Sequence, residues 1–240
     1  MSTKKFDPFV SEWVSFVKNP NHNLIEKCLK LAQILEYPEL DISKYIQKIR
    51  ELGNSLKLKI GAGKNPTYLI SMLNEYLFEE RGFLGNEEDY YDPGNSFLNV
   101  VLDKKTGIPI TISIIYSEIA KYVGLDLRIV GFPGHVIVKY KDEIILDPFY
   151  HGILLTIEDL EENLNRNFGE DVEFIPEYLN EATTEQLLTR LLRNLKNAYT
   201  QSYAYDKAIR CADMILEIQP ESTEEIRDKG ILEERLLHYD

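Results

Sequence analysis

Apolar residues recur at helical spacing through the first part of the chain. Between Asn23 and Pro38 they predict an amphipathic helix that Asn23 caps. This helix should end before Pro38, because a residue that precedes proline is driven out of the helical region. The next periodic segment follows Asp41 and predicts a second helix that ends at Gly53. We therefore assign an N-terminal helical part to residues 1–60.

The following segment combines one more helix with a long polar loop. Residues 66–80 again show helical periodicity, whereas residues 81–96 are rich in Gly, Asp, Asn and Pro and predict a surface loop. Long loops in compact domains often carry function. The adjacent Tyr90 and Tyr91 in this loop are therefore either binding residues or packing residues at the edge of the core.

The segment from Pro109 to Gly124 is apolar around most of a helical circumference, which predicts a central buried helix. Proline suits the first helical position because its missing N–H group is not needed there. The glycine is expected to end the helix. Many of the residues between them are β-branched and have low helix propensity, so burial in the core must override that preference.

Short apolar runs follow this helix and predict β-strands with the sequences LDLRIVGF, HVIVKY and EIILDPF. Residues 141–142 mark a hairpin turn between the second and third of these strands. A central three-residue turn would place His135 opposite Asp147 on the same face of the sheet, whereas other loop lengths would shift this register. The acidic segment 156–171 predicts a further helix.

The last part of the chain contains a repeat. The residue spacing fits a 34-residue helix–turn–helix unit of the tetratricopeptide type. The positions that match this pattern are Leu192, Leu195, Tyr199, Ala208 and Pro220. Lys196 replaces the small residue that is usual in this pattern. A second repeat would begin near Ser222 and break off at Asp240, so we predict a longer native chain. Because a single repeat cannot bury its own apolar face, the region 186–240 is truncated, packs on the rest of the protein or is completed by a partner.

Composition argues against several functional classes. The net charge of −13 over 240 residues disfavours a general surface for nucleic acids or anionic membranes. No apolar run approaches the ~18 residues of a membrane span, and the N-terminus lacks the apolar segment of a signal peptide. The two cysteines, Cys28 and Cys211, are too few for a secreted disulfide framework. We therefore predict a cytoplasmic protein without nucleic-acid or membrane partners.

The order of a buried helix, a strand with His135 and a strand with Asp147 resembles that of the thiol-dependent transglutaminase and protease superfamily. In that superfamily a cysteine at the helix N-terminus is the nucleophile, a histidine is its base and an aspartate orients the histidine. The helix of this chain starts with TGIPITIS and contains no cysteine. Ser113 is the alternative nucleophile, because it lies one helical turn beyond Pro109 on nearly the same face.

A wider set of motifs resembles the bacterial SirB family, namely NSFLN, GIP, PGH and DPF. The resemblance covers roughly residues 25–240. It implies an α+β fold with a papain- or transglutaminase-like core over residues 61–180, in which a buried central helix lies on an antiparallel sheet. N-terminal helices precede this core, and a tetratricopeptide-like helical hairpin follows it. Counting back from Gly124, the resemblance places the thiol nucleophile of active relatives at Pro109.

The resemblance and the proline at position 109 together predict a pseudoenzyme, a non-catalytic protein that acts as a binding or regulatory module. His135 and Asp147 would be a remnant dyad, and a protein or peptide partner would bind through the repeat region. The rival hypothesis is a hydrolase or acyl-transferase that uses Ser113 with His135 as base. A third hypothesis is a purely structural protein without a ligand cleft.

The predicted binding cleft comprises Tyr90, Tyr91, Asn95, His135 and His151. Two histidines together with Asp147 would also suit zinc or iron in their ligand types. Their spacing matches no metal-binding motif, however. We therefore predict neither a metal site nor a cofactor.

Overall fold

The computed structural model describes residues 8–61, 65–169 and 172–237. Its contacts group the chain into two compact units. The first unit comprises the described residues within 1–42, 91–99 and 184–240, and the second unit comprises those within 43–90 and 100–183. Asp240, where the sequence predicts that the second repeat breaks off, lies outside the described residues. The domain limits assigned from the sequence stay predictions.

The described residues form helices and short strands. The helices are α1 (Pro8–Val17), α2 (Leu24–Leu35), α3 (Ile42–Ile60), α4 (Pro66–Asn74), α5 (Leu98–Lys104), α6 (Pro109–Ala120), α7 (Ile157–Phe168), α8 (Thr184–Gln201), α9 (Tyr205–Ile218) and α10 (Thr223–Leu237). The strands are β1 (Leu84–Gly85), β2 (Thr106–Gly107), β3 (Leu127–Val130), β4 (Ile137–Tyr140), β5 (Ile144–Asp147) and β6 (Ile153–Leu155). Helix α4 continues directly into a π-helical turn, Glu75–Glu80.

Asn23 caps α2 as predicted. Its side chain accepts a hydrogen bond from the backbone N–H of Glu26 at 3.0 Å, and the Glu26 carboxylate accepts one from the Asn23 backbone at 2.8 Å. This reciprocal capping box gives partners to backbone N–H groups that have none inside the helix. The helix ends at Leu35, so the predicted end before Pro38 is confirmed.

The predicted end of the second helix at Gly53 is wrong, because α3 continues to Ile60. A Cβ atom at Gly53 would lie 2.3 Å from the ring of Tyr122. The glycine therefore allows an aromatic ring to pack against the helix backbone, and the chain does not turn there. A helix tolerates an interior glycine at a cost of roughly 1 kcal/mol relative to alanine.

Helix α6 forms the centre of the second unit. All of its residues are buried except Glu118, and Pro109 occupies its first position. Gly124 ends the helical turn that follows, with a φ of 81°. Strands β3, β4, β5 and β6 form an antiparallel sheet in that order, and α6 packs against β3 and β4. The predicted α+β core, a buried helix on an antiparallel sheet, is confirmed.

The register between β4 and β5 differs from the predicted one. Val138 pairs with Leu146. Continuing this register by one pair places Asp147 across from Ile137, so His135 lies diagonal to Asp147 instead of opposite it. His135 itself precedes β4 and lies in a bend, so strand alternation does not fix the face of its side chain. The predicted opposite position is therefore wrong, and so is the predicted start of this strand at His135, because β4 begins at Ile137.

In the first unit, α8 and α9 form the helical hairpin of the repeat, and α10 packs on α9. Lys196, the residue that departs from the repeat pattern, is only 5% exposed. Its Nζ atom donates to Glu225 at 2.6 Å and to Asp228 at 2.8 Å. Arg193 donates to the same Glu225 through Nε at 2.8 Å. This network joins α8 to α10 and supplies the buried lysine with the charged partners that it requires.

Candidate functional site

The histidine and the aspartate that the sequence singles out form a hydrogen-bonded pair. The Nε2 atom of His135 lies 2.7 Å from the Oδ2 atom of Asp147. The other carboxylate oxygen of Asp147 accepts the backbone N–H of Phe149 at 3.0 Å. Because a carboxylate accepts and does not donate, Nε2 carries the proton of this bond and Nδ1 is the ring nitrogen directed to other groups. The pair thus has the arrangement of a base and its orienting carboxylate.

Aromatic rings surround this pair. The ring of Phe149 meets the imidazole of His135 edge-on at 6.1 Å, and the ring of Tyr150 stacks on it at 6.3 Å with an interplanar angle of 25°. Asp147 is almost fully buried, and the side chain of His135 is 13% exposed. The imidazole is therefore largely covered, and only a small part of it is exposed to solvent.

No nucleophile is hydrogen-bonded to His135 within the described part of the chain. Pro109 begins α6, and the hydroxyl of Thr111 bonds to the backbone of Ile108 at 3.1 Å. The Oγ atom of Ser113 is completely buried and has no hydrogen-bond partner among the described residues. Ser113 therefore lacks both the contact with the base and the access to substrate that a nucleophile needs.

The cysteines do not supply a nucleophile either. Cys28 and Cys211 are both buried, and burial raises the pKa of each thiol far above its usual value. The reactive species of cysteine is the thiolate, which a raised pKa removes at neutral pH. Both residues are thus inert packing residues of the first unit.

A cavity of about 470 Å³ lies beside the pair. It is lined by Phe78, Phe83, Leu84, Gly85, Glu87, Phe149, Tyr150 and His151. His135 contacts this cavity through Tyr150, which stacks on the imidazole. The size and the mostly aromatic lining are those of a site for a small ligand or for side chains of a peptide.

The structure places the predicted cleft residues in different positions. His151 lines the cavity, and Tyr90 meets the cavity residue Phe149 edge-on at 6.4 Å. Tyr91 and Asn95 belong to the first unit, where Tyr91 is exposed and Asn95 is buried. The cleft as a five-residue set stays a prediction.

A chain of contacts holds the wall that carries His151. Its imidazole stacks on Phe78 at 5.3 Å, and Phe78 stacks in turn on Tyr116 at 5.8 Å. The Tyr116 hydroxyl donates to the Asn74 side chain at 2.5 Å, and the Asn74 amide donates to the carbonyl of Gly152 at 3.0 Å. The π-helical turn after α4 contains Phe78 and directs its ring to this wall. Such turns are frequent at functional sites.

His151 itself adopts a left-handed backbone with a φ of 56°, and Gly152 follows with a φ of 70°. This conformation is uncommon for a non-glycine residue, although histidine adopts it more readily than most side chains. Gly152 also has no room for a side chain, because a Cβ atom would lie 2.2 Å from Asn74. The backbone conformation of the loop after β5 is therefore closely constrained by its surroundings.

Sequence reasoning did not identify most of the cavity lining. Phe78 and Phe83 lie at the end of the predicted helix 66–80 and in the loop that follows it. Glu87 lies in the same loop, which the sequence had marked as a candidate for function. Phe149 and Tyr150 follow Asp147 and Pro148, so the DPF motif is the sequence signal that points to them.

The described residues show neither a metal centre nor a membrane span. No group of three or more His, Cys, Asp or Glu side chains among them is arranged to hold a metal ion. In the same residues, no helix is both long enough and apolar enough to cross a bilayer.

Models of known protein families match both the central part and the C-terminal part of the chain. A family model described as the transglutaminase-like superfamily matches residues 43–193. A tetratricopeptide repeat model matches residues 195–240. The search of solved structures finds no match.

Similar proteins occur in bacteria and in mammals. A UPF0162 protein of Xylella fastidiosa strain 9a5c is 34% identical over 209 residues, which are 85% of this chain and 74% of that protein. A UPF0162 protein of Vibrio cholerae serotype O1 is 28% identical over 217 residues, which are 89% of this chain and 80% of that protein. F-box only protein 21 of Homo sapiens is 31% identical over 147 residues, which are 54% of this chain and 23% of that protein. The chain therefore belongs to the transglutaminase-like superfamily and to its SirB-like UPF0162 proteins, in which a tetratricopeptide repeat follows the transglutaminase-like domain.

Proposed function

We propose that this protein is a non-catalytic transglutaminase-like protein that acts by binding a protein or peptide partner. The observation that carries this proposal is the first position of α6. Thiol-active relatives are expected to hold their nucleophile there, and this chain holds Pro109. Proline has neither a side-chain nucleophile nor an N–H group, so no neighbouring base can activate it.

The serine alternative is less well supported. Nucleophilic catalysis requires the attacking hydroxyl within about 2.6–3.2 Å of its base. The Oγ atom of Ser113 has no hydrogen-bond partner among the described residues, and it is fully buried. The intact bond between His135 and Asp147 is the observation that favours an enzyme, since it preserves a base with its orienting carboxylate.

Two features support binding. Tetratricopeptide repeats stack into surfaces that dock protein segments, and a repeat of this type matches residues 195–240. The transglutaminase-like domain adds an aromatic cavity beside the pair, which argues against a purely structural protein. A transglutaminase-like domain that has lost its nucleophile can keep its binding pocket. The shape of the pocket depends on the packing of the surrounding side chains and not on the nucleophile.

Turnover assays test the proposal with the full chain. Wild type, His135→Ala and Ser113→Ala would be incubated with a panel of ester and amide substrates and with primary amines as acceptors. We expect none of the proteins to release product above the buffer rate. Turnover by wild type that disappears in His135→Ala would overturn the proposal, and its loss in Ser113→Ala as well would identify the serine as nucleophile.

A further inference from the structure

One charged side chain lies in the wall of the aromatic cavity. Glu87 is the charged residue among the lining side chains, which include no lysine or arginine. Its carboxylate makes no hydrogen bond or ion pair with another described residue. Burial raises the pKa of Tyr150, which also lines the cavity. The negative charges of Glu87 and Asp147 raise this pKa further, and the positive charge of Arg166 acts in the opposite direction. The cavity lining therefore carries a negative charge that no lining lysine or arginine pairs with.

The backbone that carries Glu87 is held in place on both sides. The N–H group of Asn86 donates to the carbonyl of Gly107 at 2.8 Å, beside the short parallel pair of β1 and β2. The side chain of Asn86 then accepts the N–H group of Asp89 at 3.0 Å and closes a turn over Glu87. A carboxylate on an ordered turn loses little conformational freedom when a ligand binds.

Aromatic residues form most of the remaining wall. Phe78, Phe83, Phe149 and Tyr150 all line the cavity. The ring of Phe149 lies directly against the backbone of Gly85, where a Cβ atom would come within 2.5 Å of it. The π faces of such rings attract cations. A carboxylate next to several rings is therefore suited to a positively charged group with an apolar stem.

A guanidinium group fits these features better than an ammonium group. It is planar, it stacks on aromatic rings, and it forms paired hydrogen bonds with a carboxylate. It is also less strongly hydrated, so entering an aromatic cavity costs it less. The volume of about 470 Å³ leaves room for residues that flank the charged side chain.

We propose that this cavity binds the side chain of an arginine in a peptide segment of the partner, with the guanidinium group at Glu87 and its stem against the phenylalanine rings. This inference rests on the proposed binding function and names the ligand class of one of its sites. The net charge of −13 favours the approach of a basic segment.

Peptide titration with the full chain tests the inference. The probe is acetyl-Ala-Arg-Ala-amide, and the comparison peptides carry citrulline or lysine in place of arginine. Binding would be followed by NMR shifts of the protein at low salt and again at about 300 mM salt, where exposed charges are largely screened. We expect the arginine peptide to bind most tightly, the citrulline peptide to bind least, and affinity to fall as salt is added.

Matched variants locate the site. Glu87→Gln should weaken binding of the arginine peptide by about fivefold or more, since it removes one partly exposed charge pair and leaves the rings. Glu88→Gln changes the neighbouring exposed carboxylate, which does not line the cavity, and should leave affinity unchanged. Circular dichroism and thermal unfolding would confirm that both variants fold.

Three results would overturn the inference. They are no binding of the arginine peptide, equal binding of the citrulline or lysine peptide, and equal losses in Glu87→Gln and Glu88→Gln. None of these results concerns turnover. A failure of the arginine site therefore leaves the non-catalytic function standing, whereas His135-dependent turnover would overturn that function even if the peptide binds.

Discussion

The side chains of His135, in the bend before β4, and Asp147, at the end of β5, are joined at 2.7 Å in a protein whose central helix begins with Pro109. The bond has a structural value of its own, because the buried carboxylate also accepts the backbone N–H of Phe149 and so fixes the loop that enters the aromatic cavity. Buried polar groups with all their partners rigidify a site. The pair can therefore serve a binding site without serving a nucleophile.

Replacing Pro109 with cysteine should place a thiol at the buried start of α6, where its reactivity depends on His135. The positive end of a helix and a nearby imidazole both lower the pKa of a thiol. We expect iodoacetamide to alkylate Pro109→Cys about tenfold faster than the double variant that also carries His135→Ala, because thiolate content controls the rate. Mass spectrometry of the alkylated peptides measures both rates. The buried Cys28 and Cys211 are internal references that should react slowly. Equal rates would show that position 109 is not beside His135.

Glu225 should be among the most sensitive positions of the first unit. It is fully buried and accepts hydrogen bonds from Lys196 and Arg193. Glu225→Ala leaves a buried lysine without its main partner and should lower the free energy of unfolding by about 3–5 kcal/mol in urea titrations. Glu224→Ala is the control, because this carboxylate is 57% exposed and its pair with Arg193 should contribute less than about 1 kcal/mol. Similar losses in the two variants would contradict a buried network.

Asp228 should make stability depend on acid pH. The hydrogen bond from Lys196 is the largest cause that lowers the pKa of this carboxyl below its usual value of 3.8. A carboxyl with a lowered pKa in the folded state stabilises the protein above its unfolded-state pKa, and that contribution is lost as the pH falls through the folded-state value. The difference in unfolding free energy between wild type and Asp228→Asn should therefore shrink from about pH 5 to about pH 2. A constant difference over this range would refute the linkage.

Replacing each of two helical glycines with alanine should change the free energy of unfolding in opposite directions. Gly53→Ala places a methyl group 2.3 Å from the Tyr122 ring and should destabilise the protein by about 1–3 kcal/mol, in spite of the better helix propensity of alanine. Gly230→Ala adds a methyl group to α10 with no neighbour within 4 Å and should stabilise it by about 0.5–1 kcal/mol. Thermal and urea unfolding measure both. Stabilisation by Gly53→Ala would mean that Tyr122 moves away at little cost.

Local patterns were enough for much of the fold. The capped start of α2 at Asn23, the proline that opens α6 and the left-handed glycine that closes it act over a few residues, so their effects can be predicted without tertiary contacts.

Tertiary contacts decided the remaining features. The sequence predicts that a helix ends at Gly53. In the structure Gly53 packs against Tyr122 and lies in the interior of α3. Lys196 departs from the repeat pattern, and only the structure explains this departure. Its ammonium group donates hydrogen bonds to Glu225 and Asp228 of α10. Neither partner can be inferred from local spacing, because each lies on an element distant in sequence.

The sequence by itself determined the family, the central buried helix and the proline at position 109, since each of these depends on residue identity and short-range spacing. Only the tertiary structure brought Glu87 and Phe83 of one loop together with Phe149 and His151 of another to form a cavity. It also left Ser113 buried without a bond to the base. A pocket is a property of side chains that converge from separate elements, and their convergence depends on the packing of the whole core.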